Sequence, residues 1–210
     1  MADAGSFPSI REEAAGLVGN GGVLAMPTES SYAIGASPLR ADAVDRINRI
    51  KGREERKPIL VLIAGPAQLA PLVAEVTPAA ALLMKTFWPG PITLIFRAAP
   101  CIPINLTAGT GTVGIRQPAV PLLASLLQET GPLTGTSANR SGKPPARTAT
   151  EVQAALGTEL DLILDGGSTP GGTASTVVDT TGPVRLIREG PITRDQLRAA
   201  LAGSNMTLAL

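Results

Sequence analysis

The chain has 210 residues, 44% of them apolar, 17% charged and 2% aromatic, and carries a net charge of +1. That balance describes a folded globular chain with an aliphatic core and excludes wholesale disorder. Histidine is absent and Cys101 is the sole cysteine, which removes Ser-His-Asp and Cys-His catalysis, histidine-bound zinc and an internal disulfide framework.

Ser9-Ile10-Arg11-Glu12 has the form of a capping box, opening a helix whose stripe of Ile10, Ala14, Leu17 and Val18 ends near Gly19. Residues 23–26 read as a buried strand stopped at Pro27. A polar turn, Pro27-Thr28-Glu29-Ser30-Ser31-Tyr32, leads to a second short strand over 33–36. Residues 41–51 form a helix with Val44, Ile47 and Ile50 inward and Gly52 as its terminator. The unbroken apolar run 58–63 is expected of a strand covered on both faces. Helices follow near 66–74 and 78–87, then Pro89-Gly90-Pro91 turns the chain into a strand over 92–96. A strand at 113–116 precedes a helix at 119–130, stopped by Gly131-Pro132, and Leu133 opens a short strand ending at Thr136. Thr148-Ala149-Thr150-Glu151 caps a helix reaching about Leu156, and strands follow at 162–165, 175–179 and 184–188 before a helix at 193–201. Interleaved strands and helices define an α/β chain with a mixed, mostly covered sheet. The economical division is one domain over 7–203 and a loose tail over 204–210.

Chemistry concentrates in Leu133-Thr134-Gly135-Thr136-Ser137-Ala138-Asn139-Arg140-Ser141-Gly142. Hydroxyls, a carboxamide and a cation crowd a strand's carboxyl end, where open α/β sheets bind ligands; the same residues also make plain turns. Lys51-Gly52-Arg53 with Arg56-Lys57 reads two ways, as cations complementing a helix C-terminus or as a clamp on phosphates. Thr28 and Tyr32 suit either a small polar substrate or the capping of the next segment. The glycine-rich stretch 166–172 is a tight crossover or a loop that lets backbone amides approach phosphate oxygens. Gly109-Thr110-Gly111-Thr112-Val113-Gly114 imitates a dinucleotide fingerprint, but a coil precedes it and a strand follows, so it is a decoy. Near-neutral charge argues against tight nucleic-acid binding. No leader-like N-terminus and no bilayer-length apolar run is present, so a cytoplasmic chain without membrane contact is expected.

Taken in order, these stretches resemble one family, the YrdC-like threonylcarbamoyl-AMP synthases. The Pro-Thr-acidic-x-x-Tyr turn is matched by Pro27 to Tyr32, Lys-x-Arg by Lys51 and Arg53, and Pro-Gly-Pro-x-Thr-Leu by Pro89 to Leu94. Thr-Val-x-x-Arg-x-Pro is matched by Thr112 to Pro118, Thr-Ser-Ala-Asn-x-Ser-Gly by Thr136 to Gly142, and Ser-Thr-Val-Val-Asp by Ser175 to Asp179. Ala33 and Val120 depart from residues frequent in the family, Gly and His. The resemblance implies a single YrdC-like domain with a twisted mixed β-sheet flanked by helices, in the short form without a further C-terminal domain. It implies synthesis of threonylcarbamoyl-AMP and pyrophosphate from L-threonine, bicarbonate and ATP with Mg2+, and passage of the product to a tRNA threonylcarbamoyl transferase complex. Direct tRNA contact would be weak or absent. Carried over residue by residue, it assigns Lys51, Arg53, Ser137 and Asn139 to catalysis and the triphosphate. Thr28, Tyr32, Lys57, Thr112 and Arg116 would hold threonine and bicarbonate, and Thr136, Ser175 and Arg188 the nucleotide. Two rivals remain at this point: a non-catalytic RNA-binding maturation module of the same fold, and a carbamoyl transferase.

Overall fold

The computed structural model describes residues 7–52, 57–202, 204 and 207–209. Helix α1 (Phe7–Gly19) leads into an antiparallel hairpin of β1 (Leu24–Pro27) and β2 (Tyr32–Gly35). Helix α2 (Ala41–Lys51) follows, with Val44, Ile47 and Ile50 buried and Gly52 capping it in the left-handed region at φ 58°. There its N–H returns to the carbonyls of Asn48 and Arg49, a conformation that suits glycine. Beyond lie β3 (Val61–Leu62), α3 (Pro78–Phe87), β4 (Ile92–Arg97), the one-turn helix α4 (Ile104–Thr107), β5 (Thr112–Arg116) and α5 (Pro121–Thr130). The second half supplies β6 (Leu133–Thr134), β7 (Thr136–Ser137), α6 (Ala149–Leu156), β8 (Leu162–Ile163), β9 (Thr176–Asp179), β10 (Val184–Arg188), α7 (Arg194–Leu201) and β11 (Leu208–Ala209).

The α/β class expected from the sequence holds, but the strands divide between two mixed sheets rather than one. The smaller runs β7-β2-β1-β8 and the larger β11-β10-β9-β4-β5-β3-β6. Both contain parallel and antiparallel neighbours: β8 lies parallel to β1, and β9 parallel to β4, while β10 runs antiparallel to β9. The segment around Gly135 belongs to both. Its β6 half pairs with β3 in the large sheet and its β7 half with β2 in the small one. Gly135 sits at the crossing because a Cβ there would come within 2.9 Å of Leu62 side-chain atoms. The single strand expected over 133–136 is thus broken at its only position without a side chain.

Burial explains the sequence periods. In and beside β1, Val23 and Ala25 enter one apolar cluster while Leu24 and Met26 enter the other, so the strand is covered on both faces. The same holds in the run 58–63, where Ile59, Val61 and Ile63 face one cluster and Leu62 the other. Ile10, Ala14 and Val18 of α1 pack with Leu123, Leu126 and Leu127 of α5.

Four local expectations are corrected. Ser9 is inside α1 rather than its cap, because the helix already begins at Phe7 with a proline in its first turn, where the missing N–H costs nothing. Residues 66–74 make only a 3-10 turn, Pro66–Gln68, since Pro71 blocks a continuing helix. Helix α4 has too few residues for a periodic signal. Within the stretch taken as a loose tail, Leu208–Ala209 form β11, which pairs parallel with Val184 and Arg185 and so covers the open edge of β10 there. No helix among the described residues is long and apolar enough to cross a membrane.

Candidate active site

Lys51 ends the apolar stripe of α2, four residues after Ile47, so helical geometry turns its side chain inward. It is 1% exposed, and its ammonium donates to the Ser137 carbonyl at 2.5 Å and to Asn139 Oδ1 at 2.8 Å, with Ser137 Oγ at 3.4 Å. Asn139 is held in turn by its Nδ2, which donates to the carbonyls of Arg140 and Lys143. The turn is stitched back onto α2: the Ser141 N–H donates to the Lys51 carbonyl at 2.9 Å, and Arg140 Nη1 to the Ile50 carbonyl at 2.8 Å. Lys51, Ser137 and Asn139 therefore form one connected unit. Only Ser137 of the three opens on the neighbouring cavity.

That cavity measures about 560 Å3 and is bordered by Thr28, Ser31, Arg116, Thr136, Ser137, Ser175 and Arg188, with Gly171 and Gly172 on one wall. A second cavity of about 380 Å3 carries Pro58, Thr93, Thr112, Gly114 and Val177. Leu60, Gly135, Thr136 and Arg188 border both, so the two form one trough across the large sheet. Thr112, Gly114 and Arg116 alternate along β5 on the trough side; Gly114 leaves room where a Cβ would stand 3.1 Å from Thr93.

Positive charge gathers here. Arg116, Arg147 and Arg188 all border the larger cavity, and no acidic side chain among the described residues borders either one. Arg116 is 8% exposed; its Nε donates to the Gly90 carbonyl at 3.0 Å and its Nη2 pairs with Glu29. Burial pulls this guanidinium below its ordinary range, Glu29 pushes it back up, and the charge of Arg188 adds to the lowering. It remains a cation, as arginines do. Arg188 gives Nε and Nη2 to the Ser175 carbonyl at 3.1 and 2.9 Å. No carboxylate among the described residues lies within ion-pair distance of it. Ser175, 5% exposed, shares a hydrogen bond of 2.9 Å with Thr93.

Some expected site residues stand apart. Arg53 lies outside the described residues. Lys57 is exposed next to Pro58 and does not border the trough. Tyr32 is fully buried behind the cavity wall. Its hydroxyl donates to the Gly167 carbonyl at 2.8 Å and accepts from the Gly166 N–H at 3.2 Å, so it anchors the glycine-rich loop 166–172. Burial, above all, and the charge of Asp165 hold the phenol above its ordinary value. Thr28 spends its hydroxyl on the Ser31 carbonyl at 2.6 Å, closing its own turn at the cavity edge. Sequence reasoning missed Arg147, whose isolated position between prolines and a helix cap gave no spacing signal.

An acid-free trough lined by arginines, hydroxyls and a glycine-rich wall, at the carboxyl end of a strand, defines an α/β protein built to bind an anionic small molecule. The family described as "Telomere recombination" (Sua5_yciO_yrdC) matches residues 17–190. The chain belongs to this Sua5/YciO/YrdC family. A threonylcarbamoyl-AMP synthase of Bacillus subtilis (strain 168) is 40% identical over 192 residues, 90% of this chain and 56% of that protein. A putative threonylcarbamoyl-AMP synthase of Mycobacterium tuberculosis (strain ATCC 25618 / H37Rv) is 34% identical over 189 residues, covering 90% of this chain and 87% of its own length. The crystal structure of P. abyssi Sua5 complexed with L-threonine superposes with a TM-score of 0.86 at 35% identity, covering 95% of this chain and 58% of that one. The chain thus spans little more than half the length of two of these three relatives.

Proposed function

We propose that this chain is a threonylcarbamoyl-AMP synthase, making threonylcarbamoyl-AMP and pyrophosphate from L-threonine, bicarbonate and ATP. One observation carries the reading: Ser137 opens on an arginine-lined, acid-free cavity while the buried Lys51 ammonium holds it from behind. Relatives bearing the synthase name support it, as does a threonine-bound structure of the same fold.

In this chemistry the amine of threonine condenses with bicarbonate to a carbamate, releasing water. A carbamate oxygen then attacks the α-phosphorus of ATP, the bond to the bridging oxygen breaks, and pyrophosphate leaves. Attack on phosphorus depends on positioning and charge stabilisation, and a chain without histidine can supply both. Arg188, lacking a carboxylate partner among the described residues, takes a nucleotide phosphate beside Ser175 and Thr136. Arg116, with Thr28 nearby, takes the threonine carboxylate, and Thr112 extends the same face. Lys51 keeps the Ser137–Asn139 turn in place and adds its positive potential to the reacting phosphate; from the family resemblance alone, Arg53 is assigned to the triphosphate and Lys57 to threonine and bicarbonate.

Magnesium belongs to the ATP substrate, since it favours phosphate oxygens over a protein cage. Glu29 is engaged by Arg116 and Asp179 by Arg185, and no group of metal-ligating side chains gathers among the described residues. The product would pass to a tRNA threonylcarbamoyl transferase complex in the cytoplasm, with little or no direct contact between this chain and tRNA. The test is pyrophosphate release from ATP by purified protein, omitting L-threonine or bicarbonate in turn. Release that needs both, and is lost in Ser137→Ala, supports the synthase; well-folded protein that releases none, or releases it without threonine, overturns it.

A further inference from the structure

Arg147 is an arginine of the larger cavity to which no motif assigns a role. It follows a buried alanine, Ala146, and precedes Thr148, whose hydroxyl caps α6 by accepting from the Glu151 N–H. The Glu151 carboxylate reaches back to the Arg147 N–H at 2.6 Å, so the backbone at 147 is held by the helix itself. From this fixed point the side chain crosses to the loop 166–172. Nε and Nη2 donate to the Thr169 carbonyl at 3.3 and 3.2 Å, and Nη2 donates to the Pro170 carbonyl at 2.9 Å. Thr169, 4% exposed, answers with its N–H and hydroxyl, both donated to the Arg147 carbonyl at 2.9 and 3.1 Å. Gly171 then lies across the guanidinium, where a Cβ would stand 3.3 Å from Cζ, and its φ of 77° is open to glycine at little cost.

The loop is therefore pinned twice, by the Tyr32 hydroxyl at Gly166 and Gly167 and by Arg147 at Thr169 and Pro170. Between Arg147 and Ser175 its residues Gly171 and Gly172, with Ala174 just beyond the loop, form a cavity wall. The latch uses Nε and Nη2 alone. Nη1 has no partner among the described residues, and no carboxylate there pairs with this arginine.

We propose that Arg147 is a positioning residue with two faces: one side of its guanidinium latches the glycine loop as the cavity wall, and Nη1 binds a phosphate oxygen of the nucleotide or of pyrophosphate. The proposal rests on the nucleotide reading above. It ties loop order to anion binding, because a phosphate on Nη1 fixes the same plane that holds the carbonyls of Thr169 and Pro170. A lysine has charge but no planar fork, and so can serve the anion without bridging both carbonyls.

The test pairs amide hydrogen exchange of residues 167–172 with calorimetric binding of pyrophosphate at two salt concentrations, on wild type, Arg147→Ala and Arg147→Lys. In Arg147→Ala the loop amides should exchange about tenfold faster and pyrophosphate should bind about tenfold more weakly, with a smaller salt dependence. In Arg147→Lys affinity should recover in large part while loop exchange stays fast. Because the side chain is exposed and outside both apolar clusters, the variants should fold; if Arg147→Ala does not, the lysine variant carries the comparison. Unchanged loop exchange in the variants overturns the latch, and unchanged pyrophosphate affinity in Arg147→Ala overturns the anion contact. Wild-type protein that ignores pyrophosphate sinks the anion contact together with the nucleotide reading, whereas the exchange measurement judges the latch without any activity.

Discussion

Lys51 Nζ stands 2.8 Å from Asn139 Oδ1, joining side chains 88 residues apart in sequence and fastening the end of α2 to the turn after β7. The ammonium also satisfies the Ser137 carbonyl, so this buried cation is a structural rivet and a source of charge together. Lys51→Met keeps the volume and removes both functions. Its kcat/KM for threonine-dependent pyrophosphate release should fall about a hundredfold or more, as when a charge-stabilising donor is deleted. Urea unfolding should show a loss of roughly 1–3 kcal/mol, because the Ser137 and Asn139 oxygens lose their donor in a buried place.

Gly135 marks the crossing between the two sheets. A methyl group at this position meets the Leu62 side chain at 2.8 and 2.9 Å. Gly135→Ala should destabilise the protein by about 1–3 kcal/mol through overpacking, read from the denaturant midpoint. It should also raise the KM for ATP, since Thr136 and Ser137 follow directly and border the cavity.

Tyr32→Phe separates anchoring from chemistry. The hydroxyl is spent on Gly166 and Gly167 and faces no part of the cavity lining. Removing it should cost about 1 kcal/mol of stability and speed amide exchange in the loop, with kcat reduced far less than in the Lys51 variant. A loss of kcat equal to that of Lys51→Met would assign the phenol to the reacting centre instead.

Asp161 gives the protein an acid-sensitive joint. Its carboxylate accepts from both Nη1 and Nη2 of Arg46, at 2.5 and 2.9 Å, and from the Val23 N–H at 2.7 Å, tying α2 to β1. These donors, Arg46 first, hold its pKa below the ordinary carboxylate value. A depressed folded-state pKa adds stability that is present above the unfolded value of about 3.9 and is lost as pH falls through the folded one. The stability gap between wild type and Asp161→Asn should therefore be full at pH 7 and close progressively below about pH 4, as chemical denaturation at stepped pH would show.

Much of this architecture was legible because local rules and burial agree. The stripe Val44, Ile47, Ile50 and the Gly52 terminator returned as α2, and Thr136 and Ser137, at the start of the polar turn, border a cavity. What stayed hidden is non-local. Nothing in Leu133-Thr134-Gly135-Thr136-Ser137 tells that its halves serve different sheets, because the partner strands β3 and β2 lie far back in the chain. The residues alone left Tyr32 open between substrate contact and capping, and the resemblance assigned it to threonine; its hydroxyl's partners Gly166 and Gly167 arrive more than 130 residues later. Arg147 was invisible for the same reason: its meaning is set by the carbonyls of Thr169 and Pro170. The strands expected over 58–63 and 162–165 are present but pair over two residues each, as β3 and β8, whereas the two-residue β11 lies below the length at which a period can be recognised.

The trough has one border on the turn after β1, another on β7 and a third on Arg188 near the far end of the chain. Synthesis from the N-terminus delivers these borders at widely separated times. A growing chain that has already folded its β1–β2 hairpin and α2 still lacks the arginine shared by both cavities. On the function proposed above, ligand affinity would appear only after β10 is laid beside β9, and the unfinished protein would not sequester nucleotide. A release of the chain short of residue 188 would leave a partly folded product that is silent rather than a weakened version of the whole.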